Sequence, residues 1–303
     1  MMNSSPDARI RGRSAVSWTG IAFLLPALAF ISFSIFIPTV WNLLLSFQQW
    51  DGFKDRKWIG LRNYTESLKD PDVLHSLYHS IFLAVMITLL SVIVGLALAA
   101  FVFRLGRKEG SFYRLVLFMP VMLPVAIIGL LFTFMYNPEM GLVNQFLRLI
   151  GAGALADAWL ENPDTVLWAI VVVGVWRMSG LTMMLIFAAM QNIPQSLFES
   201  ARLEGAGYAR QFFSIVLPLV KPILQLSVVF TLVMSFKTYD LVFVMTEGGP
   251  ANLSKTIPLQ MIDSAFTFNE FGYSAAMGFL LTLAVMLIIS LTSRLLRGES
   301  YEY

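Results

Sequence analysis

Three charged side chains stand inside long apolar runs: Arg177, Lys237 and Asp240. An ionised group at the centre of a membrane-spanning helix costs roughly 2.5–3.5 kcal/mol on insertion scales, so such groups usually face a cavity or a partner. Their neighbours Trp176, Ser179, Ser235, Thr238 and Tyr239 carry rings or hydroxyls. This is the chemistry of a path for a polyhydroxylated solute such as a sugar. Rings offer a stacking face, while Ser, Thr, Lys and Asp exchange hydrogen bonds with hydroxyls. The competing reading is plain packing, in which Lys237 and Asp240 at i,i+3 neutralise each other and helix carbonyls hold Arg177. Spacing alone leaves both open.

A second set of residues stands between two apolar stretches. Over 199–222 the chain turns charged and amphipathic, with Glu199, Arg202, Glu204 and Arg210 among small residues Ser200, Ala201, Gly205, Ala206 and Gly207. Pro194 suits a helix start, and Ser196 with Glu199 has capping-box spacing. Gly205 and Gly207 would allow a left-handed turn or a close backbone approach. Phe212, Ile215 and Val216 then recur at helical spacing before Pro218 and Pro222. Two short helices with a break are expected over 192–218. They form either a knob for a partner's groove or a hairpin that merely joins two spans.

Several chemistries are set aside. Cysteine is absent, so there is no disulfide, thiolate metal site or cysteine nucleophile. His75 and His79 share a helix face at i,i+4, but two imidazoles without a third ligand make a weak metal site. No Gly-x4-Gly-Lys-Ser/Thr phosphate loop exists, so no usual ATP site is expected in this chain. No Ser/His/Asp or paired-carboxylate arrangement suggests an enzyme inside the membrane. A net charge of +2, dispersed along the chain, does not point to nucleic acid.

The elements that must position these residues follow from composition. Of 303 residues 57% are hydrophobic and 13% charged, against roughly 25% charged in soluble domains; the mean hydropathy is +0.72. Charge-free runs cover 18–50, 80–103, 115–138, 178–198, 223–236 and 271–293. A helix needs roughly 20 apolar residues to cross the hydrocarbon core, a length the fourth and fifth runs reach once Arg177 and Lys237 are admitted. Barrel strands would alternate in polarity, and these runs do not. The expectation is an all-α integral membrane protein with six transmembrane helices, the first retained rather than cleaved because its run exceeds a signal peptide's apolar region.

Lysine and arginine set the orientation. With the N-terminus inside, the inner segments hold Arg9, Arg11, Arg13, Arg104, Arg107, Lys108, Arg114, Arg202, Arg210, Lys221, Arg294 and Arg297. The outer loops hold Lys54, Arg56, Lys57, Arg62, Lys69, Arg148 and Lys255. Both termini are expected in the cytoplasm, and the 199–222 segment with them. Arg177 then lies roughly 18 Å, and Lys237 roughly 14 Å, below the outer edge at ~1.5 Å per residue. A short amphipathic helix is expected over 141–150, and a turn at Gly248, Gly249 and Pro250.

The 199–222 segment resembles the signature loop of ABC-importer permeases that work with a substrate-binding protein. Glu199, Ala201, Gly205, Ala206, Phe212, Ile215, Leu217, Pro218 and Pro222 match the pattern, while Ser200 stands for its first Ala and Glu204 for its Asp. Leu25 with Pro26, Ser46 with Phe47, Trp50 with Asp51, Gly60 to Tyr64, Gln191 to Pro194, Asp240, and Thr246 to Pro250 are similar to the carbohydrate-uptake branch, of the maltose and glycerol-phosphate type, and to the first permease of the pair. The resemblance implies a coupling helix over Glu199, Ser200, Ala201, Glu204, Gly205 and Ala206, in a cytoplasmic loop between helices 4 and 5, that docks on an ATPase. It also implies a second permease subunit, two cytoplasmic ATPase subunits that hold the ATP and magnesium, an external sugar-binding protein, and residence in a bacterial or archaeal plasma membrane. The expected organisation is a cytoplasmic tail at 1–17, a permease domain at 18–297 with its coupling loop at 191–221, and a tail at 298–303. A stand-alone secondary transporter or channel is the alternative. It would want a repeated broken helix pair or a midplane proton relay, and neither is evident.

Overall fold

The computed structural model describes residues 18–53 and 55–295. The tails at 1–17 and 298–303 lie outside the described residues, as do Arg9, Arg11, Arg13, Lys54 and Arg297. Helix α1 (Trp18–Ile31) runs through a π-helical turn (Ser32–Phe36) into α2 (Ile37–Ser46). Two-residue strands β1 (Gln48–Gln49) and β2 (Lys57–Trp58) pair antiparallel. There follow α3 (Arg62–Ser67), α4 (Pro71–Phe103), α5 (Arg107–Met122), α6 (Val125–Met135), α7 (Leu142–Leu149) and α8 (Val166–Gln191). The rest of the chain holds α9 (Gln195–Leu203), α10 (Tyr208–Gln211), α11 (Leu217–Phe236), α12 (Tyr239–Thr246), α13 (Ile257–Ile262) and α14 (Phe271–Leu295).

Five helical stretches are long and apolar enough to cross a membrane, and the α5–α6 pair makes a sixth span only as a bent one, turning by 96°. The expected helix over 115–138 is thus divided by a bend. Leu123 precedes Pro124 and takes an extended conformation (φ −76, ψ 142), as a residue before proline tends to. A second departure lies in the fifth span: α11 ends at Phe236, Lys237 and Thr238 leave helical geometry, and α12 starts at Tyr239. The two-residue strands are the one departure from an all-helical chain among the described residues. Helix α7 falls within the expected 141–150, and Glu247 and Gly248 supply left-handed φ values at the expected turn.

Two of the π-turns have a shared cause. Ser32–Phe36 and Phe212–Val216 each end just before a proline at the second position of the next helix, Pro38 and Pro218. A proline ring clashes with the carbonyl four residues back, and the wider π-turn relieves that clash without stopping the helix.

Helix α8 is the centre of the bundle, with 61% of its most apolar 18-residue stretch buried, whereas the corresponding stretch within Ala22–Ser46 is not buried. One apolar cluster joins Leu83 and Ile87 of α4, Ile128 and Phe132 of α6, Val166, Ile170 and Val173 of α8, and Leu241 and Met245 of α12. A second, at the α9 end, joins Ala99, Val102, Met183, Ile186, Phe187, Met190, Phe198, Val216 and Val220. Between them the helices meet through small and hydroxylic residues. Thr182 Oγ1 donates to the Ser91 carbonyl (2.8 Å), and a Cβ on Gly95 would strike Thr182. Close approach through small residues is how membrane helices gain contact where lipid offers no hydrophobic drive.

At the far end, α14 packs against α2 and α3. Asn63 Nδ2 donates to the carbonyls of Ser46 (2.8 Å) and Gln48 (2.9 Å), and a side chain on Gly272 would strike the Gln48 carbonyl. A Cβ on Gly180 would likewise collide with the Leu117 carbonyl of α5, a backbone atom. Gly180→Ala should therefore destabilise the α5–α8 contact by about 1–3 kcal/mol, the usual range for overpacking. A lowered thermal midpoint of the purified complex would register it.

Candidate functional site

Two places on the bundle gather the residues singled out above. The first is the α9–α10 hairpin. Pro194 is the N-cap of α9 and no side chain caps the helix. Ser196 therefore falls inside the first turn, and the capping-box reading of Ser196 and Glu199 is not realised. The C-terminus is closed by a Schellman motif: Ala206 N–H reaches the Ala201 carbonyl (2.8 Å) and Gly205 N–H the Arg202 carbonyl (3.0 Å). That closure needs a left-handed residue, and Gly205 supplies it with φ +78. Gly207 has ordinary φ −68 and open space around its Cβ position, so it makes neither the turn nor a close approach.

The hairpin has one anchored face and one free face. Phe198 is buried in the cluster at the ends of α4, α8 and α11 and lies 6.0 Å, centroid to centroid, from Phe103. Tyr208 donates to the Ala100 carbonyl (2.9 Å), and the Arg104 guanidinium lies 4.4 Å over the Tyr208 ring. Gln211 Nε2 ties back to the Ala206 carbonyl (2.7 Å). Glu199, Ser200, Glu204 and Gly205 are exposed, Ala201 and Ala206 half-buried, and Leu203 is 90% exposed. Phe198, Leu203 and Tyr208 were not singled out from sequence. They stand five residues apart over 198–208, which is not a helical period, so spacing gave no signal for them.

The second place is the polar strip. The Arg177 Nε is buried without a hydrogen-bond partner among the described residues, and Asp240 is the charged group that acts on it electrostatically. Lys237 and Asp240 form no ion pair with each other among the described residues. The i,i+3 geometry behind that expectation requires one continuous helix, and the break at Lys237 and Thr238 interrupts it. Trp176 is 41% exposed, with its ring 5.4 Å from that of Phe132. Ser179 Oγ donates to the Trp176 carbonyl (3.3 Å) and Thr238 Oγ1 to the Ser235 carbonyl, while the buried Ser235 Oγ has no partner among the described residues. Tyr239 stacks on Phe243 at 5.5 Å. Lys237 and Asp240 are exposed, so this chain alone does not enclose the strip.

A bent third span, a broken fifth span and a bolted polar hairpin between the fourth and fifth describe a transport permease. Residues 91–298 match the family "binding-protein-dependent transport system inner membrane component", and the chain belongs to it. It is 39% identical over 282 residues, 92% of this chain and 94% of the other, to the probable ABC transporter permease protein YurN of Bacillus subtilis. It is 30% identical, over 93% of this chain and 84% of the other, to the diacetylchitobiose uptake system permease protein NgcF of Streptomyces coelicolor. With the trehalose/maltose transport system permease protein MalF of Thermococcus litoralis it shares 27% identity over 96% of both chains. The fold matches a chain of the bacterial ABC transporter involved in import of the acidic polysaccharide alginate with a TM-score of 0.80, covering 92% of this chain and 95% of that one at 18% identity.

The two glycines separate cleanly by experiment. Gly205→Ala places a Cβ in left-handed backbone and should cost about 1–2 kcal/mol at the hairpin, read as faster amide exchange at Gly205 and Ala206. Gly207→Ala should leave exchange unchanged.

Proposed function

We propose that this chain is one of two permease subunits of an ABC importer that carries a sugar or oligosaccharide across the plasma membrane of a bacterium or archaeon. In this reading an external binding protein delivers the solute and two cytoplasmic ATPase subunits drive the cycle. ATP and magnesium sit on those partners, not on this chain, and both termini lie in the cytoplasm. Family membership supports transport; the carbohydrate names of NgcF and the Thermococcus permease support the solute class.

The observation that carries the coupling role is the asymmetry of the α9–α10 hairpin. Phe198 and Tyr208 bolt one face to α4 and α8, while Glu199, Ser200, Leu203, Glu204 and Gly205 present the other to solvent. A partner that moves this hairpin moves the bundle. ATP can then shift the inward–outward equilibrium only by its differential affinity for the two states. Trp176, Lys237 and Asp240 of the polar strip are exposed within this chain, as expected for a path closed by the second permease. Trp176 and Tyr239 would offer stacking faces, and Arg177, Ser179, Ser235, Lys237, Thr238 and Asp240 hydrogen bonds.

Three substitutions test the two halves separately. Arg177→Ala and Asp240→Ala should each cut sugar uptake by roughly ten-fold or more, the equivalent of losing one charge-assisted contact, with the complex still assembled. Normal uptake by both would overturn the path. Leu203→Glu should release the ATPases while the second permease still co-purifies; full ATPase recovery would overturn the docking face.

A further inference from the structure

At the α9 end, a cavity of about 500 Å³ opens between the end of α4, the start of α5 and α8. Its floor is apolar, from Val102, Phe103, Leu105 and Phe187, and its polar wall is Arg107, Arg114 and Gln191. The Arg114 guanidinium is held 4.6 Å over the Phe187 ring. Neither arginine has a carboxylate within ion-pair distance among the described residues, where the ion pairs are Arg62–Glu66 and Lys255–Asp263. Arg104, Arg107, Lys108 and Arg114 crowd eleven residues against Glu109 alone. Arg107 and Lys108 also stand in the first turn of α5, where the helix dipole disfavours cations. A half-sequestered, uncompensated positive site of this kind is relieved by an anion.

We propose that this cavity binds the phosphate of an anionic phospholipid at the inner membrane surface, with the Arg107 and Arg114 guanidiniums on its oxygens. The inference rests on the orientation proposed above, which places this end at the cytoplasmic leaflet, where anionic lipid and basic residues meet. The phosphate oxyanion is the shared chemistry of a lipid headgroup and a free anion. The lipid is favoured because the cavity floor, Val102, Phe103, Leu105 and Phe187, is apolar and suits an acyl chain beside the phosphate. Arginine's planar fork suits phosphate better than lysine's point charge.

The test uses the assembled complex in nanodiscs of phosphatidylcholine with and without phosphatidylglycerol, counting retained phosphatidylglycerol by native mass spectrometry. The double variant Arg107→Gln/Arg114→Gln should retain on the order of 30-fold less, the equivalent of about 1 kcal/mol for each basic residue. Arg148→Gln, in the last turn of α7, should retain as much as the parent. Equal retention by the double variant would overturn the proposal. Displacement of the lipid by inorganic phosphate would reassign the site to a free anion, and loss of the ATPases with lipid unchanged would reassign it to a protein contact. Because the chain has no cysteine, Ser111→Cys reports the side of the membrane through an impermeant maleimide. Labelling from outside would sink the orientation, separately from the lipid count.

Discussion

The closeness of α4 to α8 is the constraint on which the rest of the molecule depends. Within a bilayer there is no hydrophobic gain from joining two apolar helices, so contact must come from tight packing and buried hydrogen bonds. Here both are present. Gly95 admits Thr182, Gly174 admits the Ile87 side chain, and the Thr182 hydroxyl reaches the Ser91 carbonyl. From that seam α5 and α11 take their places on α8, and the two apolar clusters form on either side of the hydroxyl layer. The hairpin at one end and Arg177 in the middle are both carried by α8, so the geometry of either place inherits the precision of this one contact.

The bundle's rigidity is not uniform, and the irregularities have local causes. Proline makes three of them: the bend at Leu123 and Pro124, and the π-turns before Pro38 and Pro218. The break at Lys237 and Thr238 has no proline. It falls where a lysine and a threonine enter an apolar run, and freed backbone groups at membrane depth are tolerated only where they are buried in protein or line a water-filled cavity. That fits the exposure of Lys237 and Asp240 beside Trp176, on a face this chain does not cover.

Much of this was legible in the sequence. Long charge-free runs mark the spans because the bilayer leaves few alternatives, and the left-handed Gly205 could be anticipated from its place after a short helix. The bend in the third span was not, since proline inside an apolar run is compatible with both outcomes: α5 continues through Pro120 and breaks before Pro124. The Ser196 cap was misplaced by two residues because Pro194 itself takes the N-cap position. The Lys237–Asp240 pair failed for a related reason: periodicity assumes an unbroken helix. Among the site residues, the members of the polar strip could be named from residue types, but the fixing of the hairpin could not. Tyr208 finds the Ala100 carbonyl across 108 residues of chain, and no local pattern encodes such a contact.

These features bear on how force could cross the protein. A hairpin that swung freely would absorb a pull without passing it on. Phe198 in its apolar socket, Tyr208 on the α4 backbone and the Schellman closure at Gly205 leave the segment little freedom of its own. Regular α-helical geometry is departed from instead at the π-turn over Phe212–Val216, directly after the hairpin, and at the broken α11–α12 junction. If the exposed face docks an ATPase as proposed, a displacement there would pass through these contacts into α4 and α8 and reach α11 where its helical geometry departs. An anchored hairpin followed by departures from regular helix is the arrangement that the proposed coupling would use, and a short list of residues provides both.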